Sequence, residues 1–213
     1  MDEIKNYHET RLPYDYKREI LWKTLCCCYF QPLIAPDACV LELGAGYGHF
    51  INNIQCAKRI AIDQWAGMKK HLAPDVVVRI GSVTDLSSLE DDSVDFVFAS
   101  NLFEHMRQDE FAVVLQQLRR KLKPGGTLNI LQPNYRFAYR EYFDDYMHVS
   151  VYSDRSLSDF LVAQGFRVID CQPRFLPLTV KSALPVWPIL IQLYLALPFK
   201  PMGKQMLIRA VAD

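Results

Sequence analysis

The sequence predicts an α/β fold in which helices cover both faces of a doubly wound sheet, and three observations lead to it. Short apolar runs alternate with helical segments from residue 39 to residue 131. The first run ends in three glycines at alternate positions, Gly44, Gly46 and Gly48, and the second run ends in Asp63. Strands that alternate with helices pair in parallel through right-handed crossovers. Ligands of such sheets bind beyond the carboxyl ends of the strands, which is where the glycines and Asp63 are expected.

Length and composition narrow the class of protein. A chain of 213 residues is long enough for a full core, so 1–213 is predicted to be a single domain. A hydrophobic content of 50% excludes disorder. Lys+Arg and Asp+Glu both number 24, and this zero net charge argues against a nucleic-acid partner. The six cysteines show no Cys-x-x-Cys spacing and the first residues lack the apolar core of a signal peptide, so a cytoplasmic location is expected.

Apolar periodicity places the elements along the chain. A leading amphipathic helix at 14–30 belongs to an N-terminal helical extension, 1–36. Strands are predicted at 39–43, 58–62, 76–80, 94–99, 127–131, 166–170 and 205–212. Helices are predicted at 47–55, 65–72 and 153–164, together with a helix of about 18 residues before the fifth strand. Pro124, Gly125 and Gly126 end that helix, and an apolar insertion at 173–204 separates the last two strands.

The glycine turn indicates a nucleotide site. Glycines let a backbone turn sharply and approach a ligand closely, and a carboxylate after the second strand accepts hydrogen bonds from ribose hydroxyls. Taken alone, the turn is as consistent with a plain turn as with a ligand loop. Glu42 before it, Asp63 after it and the segments 92–101 and 122–128 downstream favour the ligand loop.

These motifs resemble those of the class I S-adenosylmethionine-dependent methyltransferases over residues 38–132. The first is Glu-Leu-Gly-Ala-Gly-Tyr-Gly at 42–48, and another is Leu-Lys-Pro-Gly-Gly-Thr-Leu at 122–128. The resemblance implies a Rossmann-like sheet of seven strands with the last strand antiparallel, S-adenosylmethionine as the cofactor and S-adenosylhomocysteine as its product. The overall pattern is similar to bacterial methyltransferases of polysaccharide pathways. The glycine spacing differs from the Gly-x-Gly-x-x-Gly of nicotinamide-dependent oxidoreductases, which are a less favoured alternative.

The resemblance also implies a set of cofactor-binding residues. The glycine turn would cradle the methionine part, Glu42 would hold its amino group and Asp63 would accept both ribose hydroxyls. The full predicted set is Glu42, Gly44, Ala45, Gly46, Asp63, Gln64, Ser82, Val83, Ser100 and Asn101. A helix cap remains open for Asp63, and a structural carboxylate bonded to loop amides remains open for Glu42. The adenine contact is open too, because Ser82 stands where family members often have an acidic residue and Asp85 could reach in instead.

Two histidines are the candidate catalytic residues. His105 follows the fourth strand and His148 follows the fifth, at the same edge of the sheet. Histidine titrates near neutral pH and can take a proton from a hydroxyl acceptor, although a structural role remains open for each. Some of the resembling enzymes bind a metal in this region through Glu-x-x-Glu-His and a later histidine. Here Asn101 replaces the first carboxylate and is a poor ligand for a hard cation, so no metal is predicted.

The loop after the fifth strand bears on the acceptor. It contains Tyr135, Arg136, Tyr139, Arg140 and Tyr142. Aromatic rings and guanidinium groups suit a carbohydrate or phosphate-bearing acceptor, although loops also use them for packing. Base stacking is a secondary interpretation because the chain has no net charge.

The segment 184–199 has one polar side chain, Gln192, and its length and prolines exclude a membrane span. Three interpretations are open: a core helix packed on the sheet, a lid over the acceptor site, or a patch resting on a membrane surface. Flanking Lys181, Lys200 and Lys204 favour the membrane surface.

The sequence therefore predicts a methyltransferase that O-methylates a small-molecule or sugar acceptor, with a lipid-linked acceptor as a further alternative. The cytoplasm is the predicted location, with the inner face of the membrane as a second one. A catalytically inactive S-adenosylmethionine-binding protein is the principal alternative function. The motifs predict neither which compound is the acceptor nor the oligomeric state.

Overall fold

The computed structural model describes residues 14–177 and 186–213. Seven strands form its central sheet. They are β1 Cys39–Leu43, β2 Lys58–Asp63, β3 Val77–Ile80, β4 Val94–Ser100, β5 Leu122–Pro133, β6 Phe166–Pro177 and β7 Gly203–Ala212. Their order in the sheet is β3-β2-β1-β4-β5-β7-β6.

The pairing confirms the predicted doubly wound sheet. The first five strands are parallel, whereas β7 runs antiparallel to both β5 and β6. All residues of β1 are buried, as expected for a central parallel strand covered on both faces. The strand order reverses between β1 and β4, so the carboxyl ends of these two strands flank the position where ligands bind in such sheets.

Five α-helices accompany the sheet within the described residues. They are α1 Tyr16–Leu25, α2 Gln108–Lys121, α3 Tyr135–Ala138, α4 Asp154–Ala163 and α5 Pro188–Ala196. Ser153 caps α4 as predicted, because its hydroxyl accepts from the Ser156 amide at 3.1 Å. None of the helices in 14–177 and 186–213 is long and apolar enough to cross a bilayer.

The core has two parts, one on each face of the sheet. Successive side chains of β1 alternate between them, since Leu41 and Leu43 join one cluster and Val40 joins the other. The first cluster includes the buried sides of α2 and α4, and the second includes the buried residues of α1 and α5. This arrangement confirms that helices cover both faces.

Two predicted helices were wrong. The segment 47–55 forms turns and one 3-10 turn, Ile51–Asn53, and the segment 65–72 forms only the 3-10 turn Ala66–Lys70. The Asn52 side chain donates to the His71 carbonyl at 2.8 Å and accepts from the Ala73 amide at 2.9 Å, which joins the two segments. Asparagine side chains that bond the backbone compete with helix formation, and the left-handed Gly48 precedes this point.

Other predicted boundaries shift. The helix α2 has 14 residues, because strand pairing already starts at Leu122. Pro124, Gly125 and Gly126 therefore lie inside β5, next to an irregularity in its pairing with β4, and do not precede the strand. Strand β6 continues to Pro177 and β7 begins at Gly203, so the insertion between them spans 178–202, of which 178–185 lie outside the described residues.

Candidate active site

The glycine turn after β1 has the backbone that the sequence predicts. Gly44, Gly46 and Gly48 have φ angles of +67°, +51° and +71°, which disfavour residues with a side chain. A Cβ atom on Gly48 would lie 2.2 Å from Leu72 Cδ2, so no larger residue fits there without a local shift. The Gly44 amide donates to the Ile62 carbonyl at 2.8 Å, which ties the turn to the end of β2.

Asp63 closes the other side of this turn. One carboxylate oxygen accepts from the Gly46 amide and the other from the Trp65 amide, each at 2.8 Å. The bond to Trp65 is local and agrees with the cap alternative, whereas the bond to Gly46 joins the two segments of the predicted cofactor site. Each carboxylate oxygen has two lone pairs, so Asp63 can still accept ribose hydroxyls. Its cofactor role stays a prediction.

Glu42 is buried beneath the turn. Its Oε2 accepts from the Ile51 amide at 3.0 Å, which is the loop-amide contact of the structural alternative. Burial, with a smaller contribution from the charge of Asp63, raises the pKa of Glu42 well above its usual range. A cationic ligand would offset this cost, because a buried carboxylate needs an opposite charge. The contact to the cofactor's amino group therefore stays a prediction beside the observed structural bond.

The predicted adenine side lies after β3. The Gly81 amide donates to the Asp63 carbonyl at 2.9 Å, which places the neighbouring Ser82 and the buried Val83 near Asp63, where the ribose is predicted. Ser82 Oγ lies 2.7 Å from Thr84 Oγ1. Asp85 is exposed and accepts from the Ser87 amide at 3.0 Å within its own turn. This geometry favours Ser82 over Asp85 for the open adenine contact.

An aromatic wall borders this side, and its ring contacts were not predicted from the sequence. The Tyr47 ring centroid lies 5.0 Å from Trp65 and 4.8 Å from His71, and Trp65 stacks on His71 at 5.6 Å. Tyr47 belongs to the glycine turn, whereas Trp65 and His71 flank the 3-10 turn Ala66–Lys70, so no sequence spacing marks Tyr47 as their neighbour. The predicted Gln64 is exposed next to this wall.

Ser100 and Asn101 end β4 at the switch in strand order. Asn101 adopts a left-handed φ of +49°, which asparagine tolerates better than most residues. Its side chain donates to Ser100 Oγ at 3.1 Å and accepts from Gln205 Nε2 at 2.9 Å. Gln205 is a contact that the sequence analysis missed, because it belongs to the distant strand β7.

The structure brings His105 and His148 together, although 42 residues separate them in the sequence. Their ring centroids lie 4.8 Å apart, because the Glu104 carbonyl accepts from the Val149 and Ser150 amides at 2.9 and 3.1 Å. Nδ1 of His148 lies 2.6 Å from the Tyr142 carbonyl. A carbonyl only accepts, so Nδ1 bears a proton and donates this bond. Burial, together with His148, lowers the pKa of His105 to about 4, so this ring is neutral at pH 7.

Glu104 is completely buried, and neither of its carboxyl oxygens has a hydrogen-bond partner among the described residues. Burial, with a smaller contribution from the charge of Asp145, raises the pKa of Glu104 to about 8, so the acid is protonated at neutral pH. Glu104 is the glutamate that precedes His105 in the sequence. No pattern in the sequence indicates that its carboxyl group is buried without a hydrogen-bond partner among the described residues.

Glu104, His105 and His148 each offer one ligand atom, and these atoms lie within 4.8 Å of one another. The group can therefore hold a metal ion. Asn101 stands where the related metal-binding motif has its first carboxylate. Its side-chain amide is hydrogen-bonded to Ser100 and Gln205. The absence of a metal stays a prediction.

Two residues anchor the acceptor loop, the exposed Arg136 and the buried Tyr142. Arg136 pairs with Asp154 at 2.8 Å, and the buried Tyr142 donates to the Ser150 carbonyl at 2.6 Å. Tyr139 and Arg140 are exposed, with the guanidinium 5.6 Å from the Tyr139 ring centroid. An acceptor can therefore meet Tyr139 and Arg140, whereas Arg136 and Tyr142 hold the loop in place.

Comparisons with known proteins agree with this site. A methyltransferase domain family matches residues 41–130. A malonyl-[acyl-carrier protein] O-methyltransferase of Methylococcus capsulatus is 32% identical over 158 residues, which are 66% of this chain and 56% of that protein. The chain thus spans about half the length of that curated relative.

Solved structures share the fold. A SAM-dependent methyltransferase from Archaeoglobus fulgidus superposes with a TM-score of 0.70 at 20% identity, and the match covers 98% of each chain. An S-adenosylmethionine-dependent methyltransferase from Clostridium acetobutylicum gives 0.62 at 12% identity, over 100% of this chain and 98% of that one. The motifs, the sheet and the matched domain lead to one conclusion: residues 41–130 match a methyltransferase domain, and the chain is similar to the class I S-adenosylmethionine-dependent methyltransferases, whose cofactor is S-adenosylmethionine.

Proposed function

We propose that the protein transfers the methyl group of S-adenosylmethionine to a hydroxyl group of a small-molecule or sugar acceptor. The observation that carries this proposal is the His105–His148 pair at the carboxyl edge of the sheet. A hydroxyl acceptor must lose a proton, and a neutral imidazole within reach can take it. The Tyr142 carbonyl orients His148 so that Nε2 is the accepting nitrogen.

The chain's own residues supply alignment for this reaction. The bound cofactor supplies a methyl group that its sulfonium already makes electrophilic. The glycine turn and Asp63 fit such a ligand, because the turn leaves no side chain between backbone and ligand and the carboxylate can accept from ribose. Holding two reactants in line contributes roughly 7–11 kcal/mol to lowering a barrier. His148, with His105 beside it, then takes the proton of the acceptor hydroxyl.

The exposed part of the acceptor loop supports a sugar as the acceptor. Tyr139 can stack on a sugar ring and Arg140 can bind hydroxyl or phosphate oxygens. A sugar of a polysaccharide pathway, free or lipid-linked, fits these side chains. We place the reaction in the cytoplasm, at the inner face of the membrane where the acceptor is lipid-linked.

A carboxyl acceptor is the second candidate, and one observation favours it. The Methylococcus capsulatus relative is named for O-methylation of malonyl-[acyl-carrier protein]. A carboxylate is already deprotonated at neutral pH, so this reaction needs no base. The effect of removing His148 therefore separates the two acceptors.

Binding and turnover test the proposal in turn. Calorimetry should detect binding of S-adenosylmethionine and no binding of NADH. Binding of NADH alone would support an oxidoreductase. Cofactor binding without methyl transfer to any hydroxyl or carboxyl compound would support an inactive binding protein.

With a hydroxyl acceptor, His148→Ala should lower kcat by about 10²–10⁴-fold while cofactor affinity stays unchanged. An unchanged kcat on that acceptor would remove His148 from the mechanism. Unchanged turnover of a carboxyl acceptor would favour the second candidate.

A further inference from the structure

The helix α5 and its flanks expose an apolar surface. Within 186–202 the large exposed side chains are Trp187, Ile189, Leu190, Leu193, Leu197, Phe199 and Met202, each at least 43% accessible. Monomeric proteins seldom leave so many large apolar side chains exposed in one short segment. We refer to these seven residues as the outer face.

The inner side of the same helix anchors it to the protein. Ile191 is buried in the second core cluster, and Tyr194 and Leu195 pack against that cluster. The helix also packs on α1. A helix whose side chains are apolar apart from Gln192 belongs in a nonpolar environment, and here the protein provides it on one side only. The inner side of α5 thus packs on the core, as the core-helix interpretation expects. The outer face is exposed and requires a second nonpolar partner.

Charge indicates which partner fits. No acidic side chain occurs from residue 186 to residue 212. Lys200 lies at the C-terminal end of the helix, with Nζ 3.3 Å from the Leu195 and Leu197 carbonyls, and Lys23 is exposed on the neighbouring α1. Lys204 is offset by Glu141, with 2.6 Å between Nζ and Oε1. The margin of the outer face is therefore cationic, which complements anionic lipid headgroups.

The side-chain types also match the boundary between headgroups and acyl chains. Trp187 and Phe199 stand at the two ends of the segment, and Trp in particular concentrates at this boundary. Short apolar helices flanked by cations lie in this boundary without crossing the bilayer.

The outer face is connected to the acceptor loop. The Arg174 guanidinium lies 4.0 Å from the ring centroid of Phe137 in α3 and 5.6 Å from that of Phe199. One side chain thus bridges the start of the acceptor loop and the end of the apolar segment. A surface that contacted Phe199 would also lie near that loop.

We infer that the outer face docks on an anionic lipid bilayer and brings the acceptor loop to the membrane surface. That the docked protein methylates a lipid-linked acceptor rests on the proposed function. The docking itself rests on the exposed face, its cationic margin and the aromatic side chains at its ends.

Sedimentation with lipid vesicles tests the inference on the full chain. The vesicles contain phosphatidylcholine alone or with phosphatidylglycerol, and the wild type should sediment only with the anionic ones. Ile189→Glu and Leu193→Glu should each lower the bound fraction at least about tenfold, because each puts a carboxylate into the boundary. Val162→Glu is the matched control, since Val162 is 61% accessible on α4, which packs on the opposite face of the sheet.

Tryptophan emission gives a second readout. Docking should shift the emission of Trp187 to shorter wavelength, and Trp187→Phe should remove this shift while it keeps most of the binding.

Three results would overturn the inference: no binding of the wild type to anionic vesicles, equal loss of binding in Val162→Glu, or a soluble dimer that Leu193→Glu dissociates. Calorimetry with S-adenosylmethionine on the same samples keeps the two proposals apart. Normal cofactor binding without vesicle binding would remove the docking surface only. Vesicle binding without cofactor binding would remove the proposed function only.

Discussion

Replacing Glu104 with glutamine should change how the stability of the protein depends on pH. The buried carboxyl has its pKa raised from an ordinary 4.5 to about 8. Between these values the folded protein binds a proton that the unfolded chain has lost. The stability conferred by the neutral acid is therefore complete below pH 4.5 and is lost as the pH rises toward 8. The glutamine side chain of the variant cannot ionise, so this part of the loss of stability is absent from the variant.

The size of the effect follows from the same two values. One pKa unit corresponds to about 1.4 kcal/mol, so the interval from 4.5 to about 8 amounts to at most about 5 kcal/mol above pH 8. Glu104 is fully buried, so solvent does not screen this contribution. The pKa of His105 is shifted in the opposite direction, from 6.5 to about 4. Its contribution to the free energy of unfolding is therefore lost as the pH falls below 6.5. That contribution is common to both proteins and cancels in their difference.

Urea denaturation at a series of pH values from 5 to 9 measures the prediction. The free energy of unfolding of Glu104→Gln, relative to wild type, should rise from pH 5 to about pH 8 and then level off. Glu90→Gln is the control, because Glu90 is exposed and should give a profile parallel to wild type. Parallel profiles for Glu104→Gln would refute the reasoning, since they would mean that Glu104 is ionised in the folded protein and neutralised by a cation.

Three further predictions follow from the site. Gly48→Ala should lower the free energy of unfolding by about 1–3 kcal/mol, because residue 48 has a left-handed φ and the added Cβ would lie too close to the Leu72 side chain. Gly81→Ala, whose Cβ meets nothing within 4 Å, should be neutral, and equal effects in urea denaturation would contradict the explanation. Asp63→Ala should weaken S-adenosylmethionine binding about 100-fold in calorimetry, because bonds to a charged group contribute about 1.5–3 kcal/mol each, whereas Asp85→Ala should not. Dialysis against a chelator should leave the melting temperature unchanged, and a stoichiometric metal retained by the protein would instead assign the Glu104 group as a metal site.

The strands β1, β2 and β4 were predictable from sequence to within one residue, whereas β5 begins five residues before its predicted start. The boundaries of β1 agree completely, because a buried parallel strand is a mostly apolar run, here with Glu42 as its one charged residue, that ends at a glycine. The helices beside the glycine turn were not predictable, because the bonds of Asn52 to His71 and Ala73 replace helical bonds. Such side-chain bonds to a distant turn have no sequence periodicity.

Part of the candidate site was likewise predictable from the sequence, and part was not. The glycine turn and Asp63 stand at the ends of consecutive strands, so their proximity could be predicted, and the bond between Gly46 and Asp63 confirms it. The contacts of Asn101 with Gln205 and of Tyr47 with His71 could not be predicted. They join loops whose separation in space depends on how the strands are ordered.

The sequence by itself determined the fold class and, through the resemblance of its motifs, indicated the family and the cofactor. All three depend on local patterns: apolar runs, glycines at fixed spacing and one carboxylate after a strand. Only the tertiary structure showed that Glu104 is buried without a hydrogen-bond partner among the described residues, that His105 and His148 are neighbours, and that one side of α5 faces outward. Burial and proximity are set by segments far apart in the chain, and they change pKa values and expose surfaces in ways that residue type alone does not specify.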